Sequence, residues 1–289
     1  MHVVISGGTG FIGAHVVRYL LQREHAVTVI SRNPAKAAAQ FGGKAQSCLL
    51  EELPESFDAV VNLAGATLDR RWNKAYKQEI IDSRVELTTQ LREAAEQRGA
   101  GAFISGSAIG YYGNRGHEKC TEFSVPGTDF LANLSAQWEA AAQCDKMRVA
   151  VIRTGLVLHR SGGALKVMLP FFKWFLGGRM GDGRQYWSWI HLDDIVELFA
   201  FALLNDVSGP LNGTAPEPVT NREFTVELAR AVHRPVMPPA PAFALRLLYG
   251  EMADMILNGQ RVLPHRTTEL GFTFKFPELR PALDAALSA

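Results

Sequence analysis

Val3-Val4-Ile5-Ser6-Gly7-Gly8-Thr9-Gly10-Phe11-Ile12-Gly13 decides the fold. A short β-branched run leads into the glycines. Ala14 to Gln22 follows, with Val16, Val17, Leu20 and Leu21 at helical spacing. Strand, glycine turn and helix, in that order, are the context in which glycines cradle a pyrophosphate. The glycines allow a tight turn and a close backbone approach. The helix N-terminus offers unpaired N–H groups and the positive end of its dipole. Two registers fit the stretch, Gly8-x-Gly10-x-x-Gly13 and Gly7-x-x-Gly10-x-x-Gly13. In either, Phe11 and Ile12 pack under the loop.

The end of the next strand, Ala26 to Ile30, normally meets the adenosine ribose of a dinucleotide. The residues there are Ser31-Arg32-Asn33, with Lys36 one helical turn on. No acid is present to accept bonds from a free 2′-hydroxyl, whereas Arg32 offers a planar fork suited to a phosphate. Ser31 adds a hydroxyl. The pattern therefore favours NADP(H) over NAD.

Further along, apolar strand-like runs alternate with amphipathic helices. Phe57 to Leu63, Ala102 to Ser105 and Arg148 to Arg153 read as strands, and Leu131 to Gln143 reads as a helix. Ile80, Ile81, Val85, Leu87 and Leu91 predict one long helix from Gln78 to Gln97. This alternation implies an α/β protein with a Rossmann-type doubly wound parallel sheet, apolar on both faces. The second half is different. Residues 161–190 are rich in glycine and aromatics with few clear strands, and 235–241 hold four prolines and read as a connector. Helical segments are expected near 221–233 and 242–257. The expected division is an NADP-binding domain over 1–158, with 190–212 contributing. A smaller C-terminal α/β substrate domain would be built from 159–189 and 213–289.

Composition narrows the functional classes. The 289 residues carry 30 basic and 29 acidic side chains, which argues against a nucleic-acid partner. Cys48, Cys120 and Cys144 form no Cys-x-x-Cys pair, so reduced thiols in a cytoplasmic setting are expected. Met1 to Gly7 reads as a strand rather than a leader, and neither a membrane span nor a membrane partner is expected. The nearest candidate span, Val167 to Leu176, is short and interrupted by Pro170 and Lys173. Neither Glu51-Glu52 nor Asp193-Asp194 has metal-ligand spacing with histidines, so no metal is expected.

Taken together, the motifs resemble the extended, epimerase-like branch of the short-chain dehydrogenase/reductase superfamily. Gly7 to Gly13 looks like the cofactor loop. Asn62-Leu63-Ala64-Gly65 looks like the fourth-strand motif, Ser105 to Gly113 like the Ser-x-x-x-Tyr-Gly segment, and Trp189 to Ile195 like the Val-Asp-Asp segment. Arg71-Trp72, Ser83-Arg84, Trp138-Glu139, Arg153-Thr154-Gly155 and Gly259 to Pro264 narrow the likeness to the atypical YfcH-like "epimerase family protein" group, over essentially the whole chain. The resemblance implies that Gly7, Gly10, Phe11, Ile12, Gly13, Ser31, Arg32, Leu63, Ala64 and Gly65 line the cofactor. It places Glu79 and Arg84 facing it, and Gly155, Leu156 and Val157 near the nicotinamide. A small-molecule substrate is implied, and a homodimer formed through the helices flanking the sheet is the oligomer expected.

The chain departs from that family where chemistry is concerned. Standard members place a Tyr-x-x-x-Lys pair on the helix after the serine motif, the lysine lowering the tyrosine pKa. Here the matching pair reads as Asn133 and Gln137, which do not titrate. Ser107, with Tyr111 or Tyr112, is left to polarise a substrate oxygen. Arg179, Arg184, His191 and Arg261 are candidate substrate contacts, the arginines suiting an anionic group. Two readings stay open. One is an NADP(H)-dependent oxidoreductase or epimerase-like enzyme acting on a carbonyl, alcohol or sugar-like substrate. The other is a non-catalytic NADP(H)-binding protein that senses redox state or regulates a partner.

Overall fold

The computed structural model describes residues 1–288. Seven parallel strands form the main sheet. In chain order they are β1 (His2–Ser6), β2 (Ala26–Ile30), β3 (Gln46–Cys48), β4 (Ala59–Asn62), β5 (Ala102–Ala108), β6 (Arg148–Thr154) and β7 (Gly209–Gly213). Their spatial order is β7-β6-β5-β4-β1-β2-β3, the doubly wound Rossmann arrangement expected. Both faces are buried, and the period of two separates them. Val3, Ile5, Val27, Val29 and Ile152 point to one side, under α1 (Phe11–Leu21). Val4, Val60, Phe103, Val149 and Val151 point to the other. In order, α2 (Pro34–Gln40), α3 (Lys74–Asp82), α4 (Val85–Gln97) and α5 (Phe130–Ala142) fill the crossovers, and Leu91 and Ala142 cover the second face.

The long helix expected over Gln78 to Gln97 is two helices, broken at Ser83-Arg84. The break ties the helices to the loop after β4. Ser83 Oγ accepts the Ala66 N–H at 2.9 Å, and Arg84 donates to the Ala66 carbonyl at 3.0 Å. Apolar periodicity runs through the break unchanged, so the pattern alone reads as one helix.

Beyond β6 the chain forms α6 (Gly163–Lys173), α7 (Leu192–Leu204), α8 (Asn221–Ala231) and α9 (Ala242–Tyr249). α7 packs beside α1 through Ile195, Leu198 and Phe199. Four short strand pairs link the remaining segments. Leu156–His159 runs parallel to Trp189–His191, and Lys119–Cys120 runs parallel to Arg261–Val262. Tyr186–Trp187 pairs antiparallel with Val219–Thr220. The expected connector at 235–241 contains a strand, Met237–Ala240, parallel to Gly178–Met180. Pro238 and Pro239 fit because each strand of that pair has a free edge.

Asp194, fully buried on α7, holds the segment leading to the C-terminal helix. Its carboxylate accepts the N–H groups of Lys275 at 2.7 Å and Phe276 at 3.1 Å. Asp194→Asn keeps the shape but turns a donor toward one of these amides. It is expected to cost about 1–3 kcal/mol, read as a lower melting temperature.

Candidate active site

The chain runs outward from β1 to β3 and then returns to the other side of β1. That reversal opens a crevice at the carboxyl ends of β1 and β4, where open α/β sheets bind ligands. Gly7, at φ 68°, forms its floor. A Cβ there would lie 2.6 Å from the Leu63 carbonyl carbon and 2.7 Å from the Ala64 nitrogen. At Gly13 it would lie 2.2 Å from the Gly7 carbonyl oxygen. Gly8 is pressed only by the side chains of Val29 and Val17. The backbone constraints thus select the register Gly7-x-x-Gly10-x-x-Gly13. At Gly10 only the Gly7 oxygen, at 3.1 Å, lies within 4 Å of an added Cβ, so the outer side of the loop is open. Gly10 begins α1, and no side chain caps it. The first amides of the helix therefore lack protein partners at the mouth of the crevice. An open cradle with uncapped amides fits a diphosphate. Phe11 and Ile12 pack half-buried against the core beneath it.

At the end of β2, Arg32 is exposed and makes no hydrogen bond or ion pair among the described residues. Ser31 Oγ accepts the Asn33 N–H at 3.1 Å and shapes that turn. Across the crevice, Leu63 donates its N–H to the Ser6 carbonyl at 3.1 Å. Arg84 fills the space beside Gly65, its guanidinium carbon 2.8 Å from where a Cβ would be. Burial lowers the Arg84 pKa to about 10, which leaves it charged at neutral pH. It acts on the loop backbone. Glu79 points to solvent on α3 with no side-chain partner among the described residues. Gly155 is held against Ser188, whose carbonyl oxygen lies 2.4 Å from an added Cβ, and Leu156 donates to that same carbonyl at 2.8 Å. The Val157 side chain is in the core.

Ser107, near the end of β5, donates its hydroxyl proton to Glu139 Oε1 at 2.7 Å. Arg153 clamps Glu139 with two bonds, Nε to Oε1 and Nη2 to Oε2, both 2.8 Å. Its third nitrogen donates to the Tyr112 hydroxyl at 2.9 Å, and Tyr112 donates to Asn212 Oδ1 at 2.6 Å. Tyr111 lies over the Arg153 guanidinium, 3.5 Å from its ring centre. These contacts correct three expectations. Ser107, buried at 4% exposure, directs its proton at a carboxylate, so that proton is not free to be donated to a carbonyl. Tyr112 is wholly buried and bonded on both sides, and burial pushes its phenol well above the ordinary range; it belongs to the core. Asn133 and Gln137 face solvent on α5. The i, i+4 pair on the inner face is Leu131 and Ser135, 3.3 Å and 3.9 Å from a Cβ placed on Gly110. Tyr111 remains half-buried with a hydroxyl that bonds no described residue.

The structure does not gather the four candidate substrate contacts. His191 is 2% exposed. Its Nδ1 accepts the Asp193 N–H at 3.1 Å and caps α7, while its ring packs 4.1 Å from that of Phe276. Capping and packing fix the ring, and its buried Nε2 has no hydrogen-bond partner among the described residues. Arg184 is exposed on the turn after Gly178–Met180, and Arg179 packs there against Gly183. Arg261 is half-buried, and its Nε has no partner among the described residues. It lies 5.1 Å from the Tyr186 ring centre, and Gln260 beside it donates to the Ile109 carbonyl at 3.2 Å. In the sequence, Glu139 and Arg153 stand out only as parts of motifs. The arginine inside the apolar run Val149-Ala-Val-Ile-Arg153 was the available signal, because a charge in a buried strand needs a partner.

Residues 3–214 match the model of the NAD dependent epimerase/dehydratase family. The chain belongs to that family. Residues 240–286 match a domain of unknown function, DUF1731. Among relatives of this family, the Arabidopsis thaliana "Epimerase family protein SDR39U1 homolog, chloroplastic" is 40% identical, over 99% of this chain and 87% of its own length. The Mycobacterium leprae "Epimerase family protein ML0860" is 41% identical, over 98% and 95%. The crystal structure of human epimerase family protein SDR39U1 (isoform 2) with NADPH superposes with a TM-score of 0.92. It is 37% identical, and each chain is covered completely. A UDP-glucuronic acid 4-epimerase from Bacillus cereus, 18% identical with a TM-score of 0.78, covers 100% of this chain and 98% of its own and shares the fold.

His15, His159 and His191 cluster beside α1, with the rings of His15 and His159 5.7 Å apart. Burial lowers all three below the ordinary imidazole value of 6.5. Arg18, Arg160 and Lys275 add to this, and Asp193 opposes it. The unfolded chain therefore takes up protons first. Stability from this cluster is complete above about pH 6.5 and is lost as pH falls below it. Thermal melts from pH 7.5 to 5.5 are expected to show a falling melting temperature, and His159→Gln should flatten the slope.

Proposed function

We propose that this protein is an NADP(H)-dependent oxidoreductase or epimerase-type enzyme for a small alcohol, carbonyl or sugar-like substrate. The observation that carries the proposal is Ser107, fixed by Glu139 and Arg153 on the strand next to β4. In this reading residues 1–158 and 190–212 form the nucleotide domain, and 159–189 with 213–289 form the substrate domain. The open glycine cradle receives the diphosphate. The unpaired Arg32 receives the 2′-phosphate, and the NADPH held by the human relative supports that choice. When bound, the nicotinamide supplies or takes the hydride.

The chain's own residues then orient the substrate. Ser107 Oγ accepts a hydrogen bond from a substrate hydroxyl, because its proton is directed at Glu139. Tyr111 holds its free hydroxyl at the same sheet edge, backed by the Arg153 cation. Arg261 faces an anionic portion of the substrate. The second reading, a non-catalytic NADP(H) sensor, draws on Leu131 and Ser135, neither of which titrates near neutral pH at the face where standard members carry an acid–base pair.

Two measurements test the proposal. Arg32→Glu is expected to weaken NADPH binding about 10–100-fold, the scale of one charge-assisted phosphate contact, and to leave NADH binding nearly unchanged. Fluorescence titration reads both, and equal losses would contradict the 2′-phosphate assignment. Across a panel of carbonyls and alcohols, Ser107→Ala is expected to lower turnover at least about tenfold with NADPH affinity kept within about twofold. Tight NADPH binding with no turnover on any member would decide for the sensor.

A further inference from the structure

α6 breaks the rule that a surface helix is apolar on one side only. Leu165, Met168, Leu169 and Phe172 are buried against α8 and the C-terminal helix. The opposite side carries Val167, Phe171 and Trp174 at i, i+4 and i+7, exposed by 61%, 49% and 78%. Phe175 and Leu176 extend this stripe past the helix end, exposed by 51% and 67%. The short strand pair brings a second segment alongside. Met237 donates its N–H to the Gly177 carbonyl at 2.9 Å, and Arg234 lies 5.0 Å from the ring centre of Phe175. α9 leaves the same strand pair at its other end and buries none of its residues, with Phe243 and Leu247 exposed at i, i+4. Nine of the fifteen exposed large apolar residues described lie in 163–180 and 231–249. Exposed apolar surface concentrated in this way marks an interaction surface.

Charge identifies the occupant. Segments 163–180 and 231–249 contain Lys166, Lys173, Arg179, Arg234 and Arg246, and no Asp or Glu, within a chain whose net charge is +1. Lys166 and Lys173 flank the Trp174 stripe and form no ion pair among the described residues. A second copy would set these cations against themselves, because a twofold contact repeats the same surface on both partners. Tryptophan, phenylalanine and leucine edged by lysine and arginine instead match the boundary of an anionic bilayer, where the rings sit at headgroup depth and the cations meet lipid phosphates. We propose that this face docks the protein peripherally on an anionic lipid surface, with Trp174, Phe175 and Leu176 as the inserted wedge. This is adsorption, not spanning. Among the described residues no helix is long and apolar enough to cross a membrane.

Vesicle co-sedimentation of the full chain tests the proposal, using pure phosphatidylcholine and phosphatidylcholine with about 30 mol% phosphatidylglycerol. Binding is expected to the anionic vesicles alone, weakening with salt, with a blue shift of tryptophan emission that is lost in Trp174→Ala. Lys166→Glu with Lys173→Glu should reduce binding about tenfold or more, while Trp174→Ser with Leu176→Ser abolishes it. NADPH affinity and melting temperature, measured on each variant, confirm that the fold is intact. No binding to anionic vesicles would overturn the proposal. So would equal binding to both vesicle types, or a dimer in solution that the Trp174→Ser, Leu176→Ser variant dissociates. None of these readouts depends on turnover.

Discussion

The contact between Gly7 and the backbone of Leu63 and Ala64 is the constraint on which the crevice depends. The distances of 2.6 and 2.7 Å leave no room for a side chain, and φ 68° would strain any other residue there. This contact brings the loops after β1 and β4 together at the strand-order reversal. Gly13 repeats the condition from the helix side, where α1 lies directly on the Gly7 carbonyl. Together they aim an uncapped helix N-terminus at the mouth of the crevice. A larger residue at either position would lift α1 away and lose the alignment of its dipole with a bound anion. The break at Ser83-Arg84 serves the same loop from below, holding Ala66 by both its N–H and its carbonyl.

The second organising feature is the ion pair of Glu139 and Arg153, whose side chains are 12% and 4% exposed. Burying two charges costs several kcal/mol per ion unless geometry and further hydrogen bonds offset it. Here the offset is visible. Both carboxylate oxygens accept from the guanidinium, Oε1 also accepts from Ser107, and the remaining arginine nitrogen reaches Tyr112 and the Glu122 carbonyl. A merely stabilising core would do as well with apolar residues at these positions. What the pair adds is direction. It fixes the Ser107 proton on Glu139.

Sequence reading reached the fold through features that are local and periodic. The glycine turn, the β-branched strands and the amphipathic helices each declare themselves within about a dozen residues. Arg32 was legible for a related reason, since its place at the end of β2 follows from counting along a known unit. The network around Ser107 was not, because its members lie far apart in sequence. Glu139 is 32 residues from Ser107, and Asn212 is 100 from Tyr112. Only the sheet register, with Ser107 opposite Arg153, brings them together. The glycine register is likewise set by surroundings distant in sequence. Gly7 and Gly8 look alike in sequence, but Gly7 alone has a positive φ and backbone pressed against it, whereas side chains lie nearest to Gly8. His191 was misleading in the opposite way, since a histidine at the end of a strand looks reactive until its capping bond and Phe276 contact are seen.

Leu131 and Ser135 on the inner face of α5 bear on how the crevice would work. A tyrosine–lysine pair supplies a titrating oxygen and a cation to tune it, on one helix. Here the cation, Arg153, comes from the sheet and is already neutralised by Glu139. Its remaining influence on Tyr111 is through the ring face, 3.5 Å away, rather than through the hydroxyl. A substrate alcohol would therefore meet an acceptor in Ser107 and a free phenol in Tyr111, with its orientation set more firmly than its protonation. Under the proposed function, a substrate without a correctly placed hydroxyl would leave the Ser107 oxygen unmatched in a buried position. On that proposal, hydroxyl-rich, sugar-like molecules meet the demand better than simple ketones do.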